Sequence, residues 1–131
     1  MDEVKIHSGT RIRLKKIQED SLPPGFVERL REYAHKEERI LAVFVFAVQA
    51  EDQDEQPSMA VAVKSGLFDK KDEGFLQIVS EIQFMLPEDF AVNLYRFGTP
   101  EVLATYCVKN VEPLYLRSAT WLEKQKKKYG S

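Results

Sequence analysis

Cysteine and histidine are scarce in this 131-residue chain, which has one cysteine, Cys107, and two histidines, His7 and His35. A single cysteine excludes an intrachain disulfide, as is typical of proteins from a reducing compartment. Structural zinc sites take about four ligands, mostly Cys and His, and this chain has too few of them. No histidine lies in the same segment as Cys107. With so few ligands we expect no metal site. Because no nucleophile lies beside a base, we expect no enzyme either.

Long apolar runs and an excess of one charge are also missing. The longest apolar run covers nine residues, 40–48, against about 20 for a membrane-spanning helix. The N-terminus is charged from Asp2 onward and leads into no apolar stretch of a signal peptide. Nineteen basic and 21 acidic residues give a net charge of −2, so the chain has no overall field that attracts nucleic acid. We expect a cytoplasmic protein that binds neither membranes nor nucleic acid.

Motifs for metal and phosphate binding are incomplete. The acidic run at 51–55 invites comparison with the calcium loop of an EF-hand, which requires glycine at its sixth position and glutamate at its twelfth. Counted from Asp52, those positions hold Pro57 and Val63. No glycine-rich phosphate-binding motif occurs in the sequence either. We therefore predict no bound cofactor and interpret residues 51–55 as a solvated hairpin turn.

Hydrophobic periodicity divides most of the chain into strands and helices. Ile12 and Leu14 alternate with basic residues, which is typical of a half-buried strand. Phe26, Leu30 and Ala34 recur at helical spacing instead. The predicted elements are, in order, a strand at 10–17, a helix at 26–38, strands at 40–49 and 59–63, a helix at 73–86 and a strand at 90–97.

This order predicts an α+β domain of the ferredoxin-like class (βαββαβ, a split β-α-β), with an antiparallel sheet and two helices on one face. An extra short helix at 99–109 and an edge strand at 111–116 follow it. We assign residues 1–116 to a single domain. Residues 117–131 contain five basic residues and one acidic residue, and we expect them to form a frayed tail.

The other face of the predicted sheet, called the second sheet face below, has no helix assigned to it. We expect Phe44, Phe46, Tyr95 and Tyr106 to form an interface there, because aromatic residues dominate interface energetics. Cover by residues 102–116 of the same chain and cover by a second copy both stay open as alternatives. RNA-recognition domains stack bases on aromatic residues of their first and third strands. Those strands lack aromatic residues here, so RNA binding is not expected.

The second sheet face gives two functional hypotheses. The first is a non-enzymatic protein-interaction or regulatory domain that works as a homodimer through this open face or within a larger assembly. The second is a small-molecule sensor that binds an amino acid at a subunit boundary, with Arg11, Asn93 and Arg96 as candidate carboxylate contacts. A slip of one residue in register would send the aromatic residues to the opposite face, so the pattern alone does not decide which face they occupy.

A resemblance to a known family rests on three stretches of the chain. These stretches are Pro23-Pro24-Gly25-Phe26 with Leu30, residues 40–46, and Pro113-Leu114-Tyr115. Their order, over residues 9–116, resembles the C-terminal domain of bacterial enhanced-serine-sensitivity (SseB) proteins. The family domain typically ends in Pro-Phe-Tyr, and Leu114 stands in place of the phenylalanine here.

The resemblance implies a cytoplasmic bacterial protein, from a family named for a serine-sensitivity phenotype, to which no catalytic residue carries over. That phenotype is the reason for considering an amino acid as the ligand of a sensor. Members of the family usually carry an N-terminal domain of the same name. The resemblance therefore implies either a stand-alone version or one domain of a longer protein.

Overall fold

A computed structural model describes residues 2–6, 10–17, 21–50, 54–64, 73–98 and 101–130 of the chain, with side chains from residue 13 onward. Its elements are, in chain order, β1 (Asp2–Ile6), β2 (Thr10–Lys16), α1 (Phe26–Lys36), β3 (Ile40–Ala50), β4 (Gln56–Val63), α2 (Glu73–Met85), β5 (Asn93–Arg96), α3 (Glu101–Asn110), β6 (Tyr115–Leu116) and α4 (Ala119–Tyr129).

The strands form one mixed sheet in which β1 to β5 lie side by side in chain order. The pairings β1–β2, β2–β3 and β3–β4 are antiparallel, whereas β4–β5 is parallel because α2 returns the chain to the starting end of the sheet. The short strand β6 pairs with β3. The mixed α+β class is therefore confirmed. The ferredoxin-like order and the purely antiparallel sheet are wrong.

Strand β3 lies inside the sheet because it is apolar on both faces. Phe44 and Phe46 pack on one face, Val43 and Val45 on the other, and all four are buried. Such a strand needs neighbours along its edges and cover on both faces. A ferredoxin-like order would give the central place to strand 10–17 instead. That strand carries exposed basic side chains, such as Arg13, and is unsuited to it.

Helices α1 and α2 cover the first face of the sheet, which is the face of Val43 and Val45. The buried residues of α1 recur every four positions, and those of α2 do the same at Ile78 and Ile82. These side chains join the valines of β3 and the inward residues of β4 in one apolar cluster. Each buried side chain of this size contributes about 1.5–3 kcal/mol to folding, so this layer is a main source of stability.

Helices α3 and α4 cover the second sheet face, the one expected to be open. Leu103, Tyr106 and Cys107 of α3 are buried against Phe44 and Phe46. The two possibilities that the sequence left open were cover by residues 102–116 and cover by a second copy. The chain itself provides the cover, and α4 extends it beyond residue 116. The aromatic residues of β3 are therefore core residues in the single chain.

The tail predicted to fray is a helix over most of its length. Ser118 begins α4 as its N-cap, accepting a hydrogen bond from the Trp121 backbone N–H at 3.2 Å. Trp121 and Leu122 pack against the apolar cluster of the second sheet face. The lysines of α4 lie on its outer side and are exposed. Fraying was predicted from these lysines, without regard to the apolar residues on the opposite side of the helix.

The predicted edge strand at 111–116 is present as the shorter strand β6, and among the described strands it pairs with β3 alone. Strand β6 pairs with Ala42 and Val43, continuing the edge of β3 that β2 covers only from residue 46 to 50. The Leu114 N–H donates to Val43 O at 2.8 Å, and the Arg117 N–H donates to Leu41 O at the same distance. Together, β2 and β6 satisfy most of this edge of β3.

Arg117 connects β6 to the end of α1. Its Nη2 lies 2.7, 3.0 and 3.2 Å from three carbonyl oxygens, and its Nε lies 2.8 Å from a fourth. These carbonyls belong to Ala34, His35, Glu37 and Ile40. A cation is favourable at a helix C-terminus, where carbonyls lack partners within the helix. The guanidinium also lies 5.6 Å from the centre of the Tyr115 ring.

We predict that Arg117→Ala lowers the free energy of unfolding by about 2–3 kcal/mol, because hydrogen bonds from a charged group are each worth about 1.5–3 kcal/mol and the carbonyls lose their donor. Urea unfolding followed by circular dichroism measures this change. Lys124→Ala, on the exposed side of α4, is the control and should change stability by less than about 0.5 kcal/mol. Equal losses in the two variants would contradict the role given to Arg117.

Candidate interaction surface

The four aromatic residues predicted to form an interface do come together, but inside the protein. The Phe46 ring centre lies 6.4 Å from that of Tyr95 and 6.3 Å from that of Tyr106. Phe44 and Phe46 are 0% exposed, and Tyr106 reaches them from the covering helix α3. A partner could contact Phe44 or Phe46 only if α3 and α4 moved away. In this structure these residues hold the second sheet face to its helices.

Three further aromatic residues complete this cluster. Phe97 lies 5.4 Å from Phe44, 5.2 Å from Trp121 and 5.9 Å from Tyr129, measured between ring centres. The packing of Trp121 and Tyr129 in this cluster was not predicted from the sequence. Their spacing of eight residues, with Gln125 halfway, places them on one side of a helix. That spacing is the feature of the sequence that could have predicted an apolar side of α4.

The buried thiol of Cys107 is poorly suited to be a nucleophile. Burial raises the pKa of Cys107 to about 12, from an ordinary value of 9.0. Since the thiolate is the reactive form, the thiol stays protonated and inert at neutral pH. Burial also raises the pKa of Tyr95. Both groups behave as packing residues of the second sheet face.

Among the residues that the structure describes, no group of three or more His, Cys, Asp or Glu side chains is placed to hold a metal ion. Within the described ranges, no helix has both the length and the apolar character that crossing a bilayer requires.

The three candidate carboxylate contacts lie apart. Arg11 belongs to β2, whereas Asn93 and Arg96 stand at the two ends of β5. Two strands, β3 and β4, separate β2 from β5, which corresponds to about 14 Å at the usual strand spacing. Asn93 and Arg96 are three positions apart and so belong to opposite faces of β5. The structure does not bring the three residues into one site.

A cavity of about 450 Å³ lies elsewhere, between β2, α1 and the segment 110–114. The polar residues Lys16, Arg31, Asn110 and Glu112 line it, together with apolar residues that include Val45. The Arg31 Nε donates to Leu114 O at 3.1 Å. The cavity therefore adjoins Pro113-Leu114-Tyr115, one of the stretches on which the family resemblance rests.

An exposed apolar surface occurs on α2, on the side turned away from the sheet. Phe84 is 91% exposed and Leu76 is 58% exposed, and in the described part of the chain these are the large apolar side chains that lie mostly in solvent. Phe84 follows the buried Ile82 by two positions, which turns it by about 200° around the helix. Both residues therefore lie outside the buried side of α2, although the sequence analysis did not single them out.

A groove of about 480 Å³ lies beside Phe84, where α2 ends and the chain runs toward β5. We call it the Phe84 groove. Its principal lining residues are Phe84, Leu86, Pro87, Glu88, Phe90 and Val92. An exposed aromatic ring next to an apolar groove is typical of surfaces at which proteins meet.

Comparison with known proteins identifies one family. A family model described as the SseB protein C-terminal domain matches residues 6–117 of the chain. The resemblance stated for residues 9–116 is thereby confirmed, and the match stops before α4 begins. No curated protein and no solved structure matches the chain.

We predict that Cys107 in the folded protein reacts with a disulfide reagent such as DTNB far more slowly than in the unfolded chain. A pKa near 12 instead of 9.0 leaves about a thousandfold less thiolate at pH 8. The unfolded thiol ionises first, so this residue's contribution to stability is lost as the pH rises from about 9 to 12. Equal reaction rates in buffer and in guanidinium chloride would contradict the burial of Cys107.

Proposed function

The chain belongs to the SseB protein C-terminal domain family, and on that premise we propose that it is a non-enzymatic domain that acts by binding another protein. The proposal is supported by the inert environment of Cys107, whose thiol is buried and whose pKa is raised. The single cysteine also fits a reducing compartment, and we place the protein in the bacterial cytoplasm.

The observation that carries this proposal is the exposure of Phe84. Burying a phenylalanine side chain is worth about 1.5–3 kcal/mol, and the fold leaves this one almost wholly in water. Aromatic residues are frequent among the few side chains that dominate binding energy. Phe84 and the Phe84 groove thus supply a projecting ring and an apolar depression on one surface.

This proposal moves the contact away from the second sheet face. A homodimer formed through Phe44 and Phe46 would require α3 and α4 to leave the aromatic cluster. Such a movement exposes the buried side chains of the second sheet face and of α3 and α4 before the dimer contact forms. The outer side of α2 needs no such opening, and we therefore assign the interaction to it.

A second candidate function is the binding of an amino acid. The cavity lined by Lys16 and Arg31 supports it, because these two cationic side chains suit the carboxylate of an amino acid, and the carboxylate of Glu112 in the same lining suits its amino group. This cavity replaces the dispersed residues Arg11, Asn93 and Arg96 as the place to test. Arg31 also donates a hydrogen bond to the Leu114 carbonyl. An amino acid bound to Arg31 would therefore affect the position of the segment that precedes β6.

We predict that a photo-crosslinking residue, benzoylphenylalanine, at position 84 forms adducts with a partner protein in the cells that make this chain. The ring at position 84 points into solvent, so the substitution leaves the fold intact. The same residue at position 124, on the exposed side of α4, is the control. Adducts at 124 alone, or none at 84, would contradict the assignment of the interaction to α2.

For the second candidate, we predict that an amino acid bound in the cavity raises the midpoint of thermal unfolding, because a ligand that binds only the folded state stabilises it. Serine and the other natural amino acids form the screen, each at several concentrations. Lys16→Gln should abolish the shift, whereas Lys124→Gln should preserve it. If no amino acid shifts the midpoint, the sensing hypothesis is wrong.

A further inference from the structure

The charged side chains of α2 and of the segment that leads to β5 are all acidic. Residues 73–92, which form α2 and the segment leading to β5, contain four acidic residues and no Lys, Arg or His. Glu88 lines the groove, Asp89 is exposed beside it, and Glu81 is exposed one turn before Phe84 on α2. An apolar groove with a negative rim results.

One basic side chain reaches this end of α2 from the neighbouring helix. Arg29 of α1 donates from Nη2 to Met85 O at 3.3 Å. This hydrogen bond holds the Arg29 guanidinium at the last turn of α2. There the guanidinium binds a backbone carbonyl rather than the carboxylates of Glu88 and Asp89. The rim therefore keeps its negative character toward a partner.

A second copy of the chain is a poor occupant of the groove. In a two-fold symmetric dimer the same surface meets itself, so Glu88 and Asp89 of both copies would come together with like charges. A head-to-tail contact could bring the lysines of α4 to the rim. However, the apolar side chains of α4, Trp121 and Leu122, are packed against their own sheet, so α4 itself has no free apolar side chain to enter the groove beside its lysines.

We propose that the Phe84 groove binds a cationic amphipathic segment of another protein. Apolar side chains of that segment pack against Phe84 and Phe90, and its Lys or Arg residues lie over Glu81, Glu88 and Asp89. Apolar burial supplies most of the affinity in this arrangement, and the charges select the partner and speed its association. This inference rests on the proposed function and adds the chemistry of the partner to it.

The test uses two labelled 14-residue probe peptides with leucines at helical spacing, one with lysines at the other positions and one with glutamates. Fluorescence anisotropy measures their binding to the full chain. We expect the lysine peptide to bind and the glutamate peptide not to bind. Phe84→Ser should weaken binding of the lysine peptide about tenfold or more, as loss of a central aromatic contact does.

Charge variants separate a specific site from general attraction. The double variant Glu88→Gln/Asp89→Asn should weaken binding and reduce its dependence on salt, because two rim charges are lost. The matched control, Glu28→Gln/Glu32→Gln, removes two exposed carboxylates from α1 and should leave the affinity unchanged. Equal losses in both double variants would overturn the inference, because they would show attraction without a site.

Other outcomes distinguish the inference from the proposed function beneath it. Tighter binding of the glutamate peptide, or binding of neither peptide, overturns the cationic partner but leaves protein binding through α2 intact. A solution mass of two chains that Phe84→Ser reduces to one chain would make a second copy the occupant and also overturn the inference. Failure of crosslinking at position 84 in cells overturns the proposed function itself.

Discussion

Strand β3 is apolar on both of its faces, so both faces of the sheet must be covered. Its side chains are buried on both faces, and burial on only one face would leave either the valines or the phenylalanines in water. Two helical layers are therefore required, although a sheet with one solvated face needs only one. The chain supplies the first layer from α1 and α2, between its strands, and the second from α3 and α4, after β5.

The C-terminal segment joins the two layers as well as covering one of them. β6 pairs with β3 at the level of Ala42 and Val43. Arg117 then reaches the carbonyls at the end of α1, on the first face, just before α4 begins on the second. One short stretch thus contacts the sheet and both of its helical layers. The stretch Pro113-Leu114-Tyr115, on which the family resemblance rests, leads directly into it.

Regular side-chain periods made some elements predictable and left others hidden. Helix α2 was predicted within one residue because Ile78 and Ile82 repeat at helical spacing before a proline. Periodicity does not encode which strands become neighbours, so the sheet order was missed. The aromatic residues of the second sheet face lie together in the structure, but their cover includes Trp121 and Tyr129, which stand among lysines in the sequence and were not predicted to pack there. Phe84 lies outside the buried side of α2 and draws notice only once its exposure is known.

The distance along the chain between Phe46 and its cover affects synthesis of the protein. Trp121 follows Phe46 by about 75 residues, and ribosomes add about 5–20 residues per second. The ribosome therefore adds Phe46 roughly 4–15 seconds before it adds Trp121 of α4. During that interval Phe44 and Phe46 are accessible to chaperones and to other nascent chains. The second sheet face, which is covered in the folded protein, is thus exposed during synthesis and needs protection from aggregation on the ribosome.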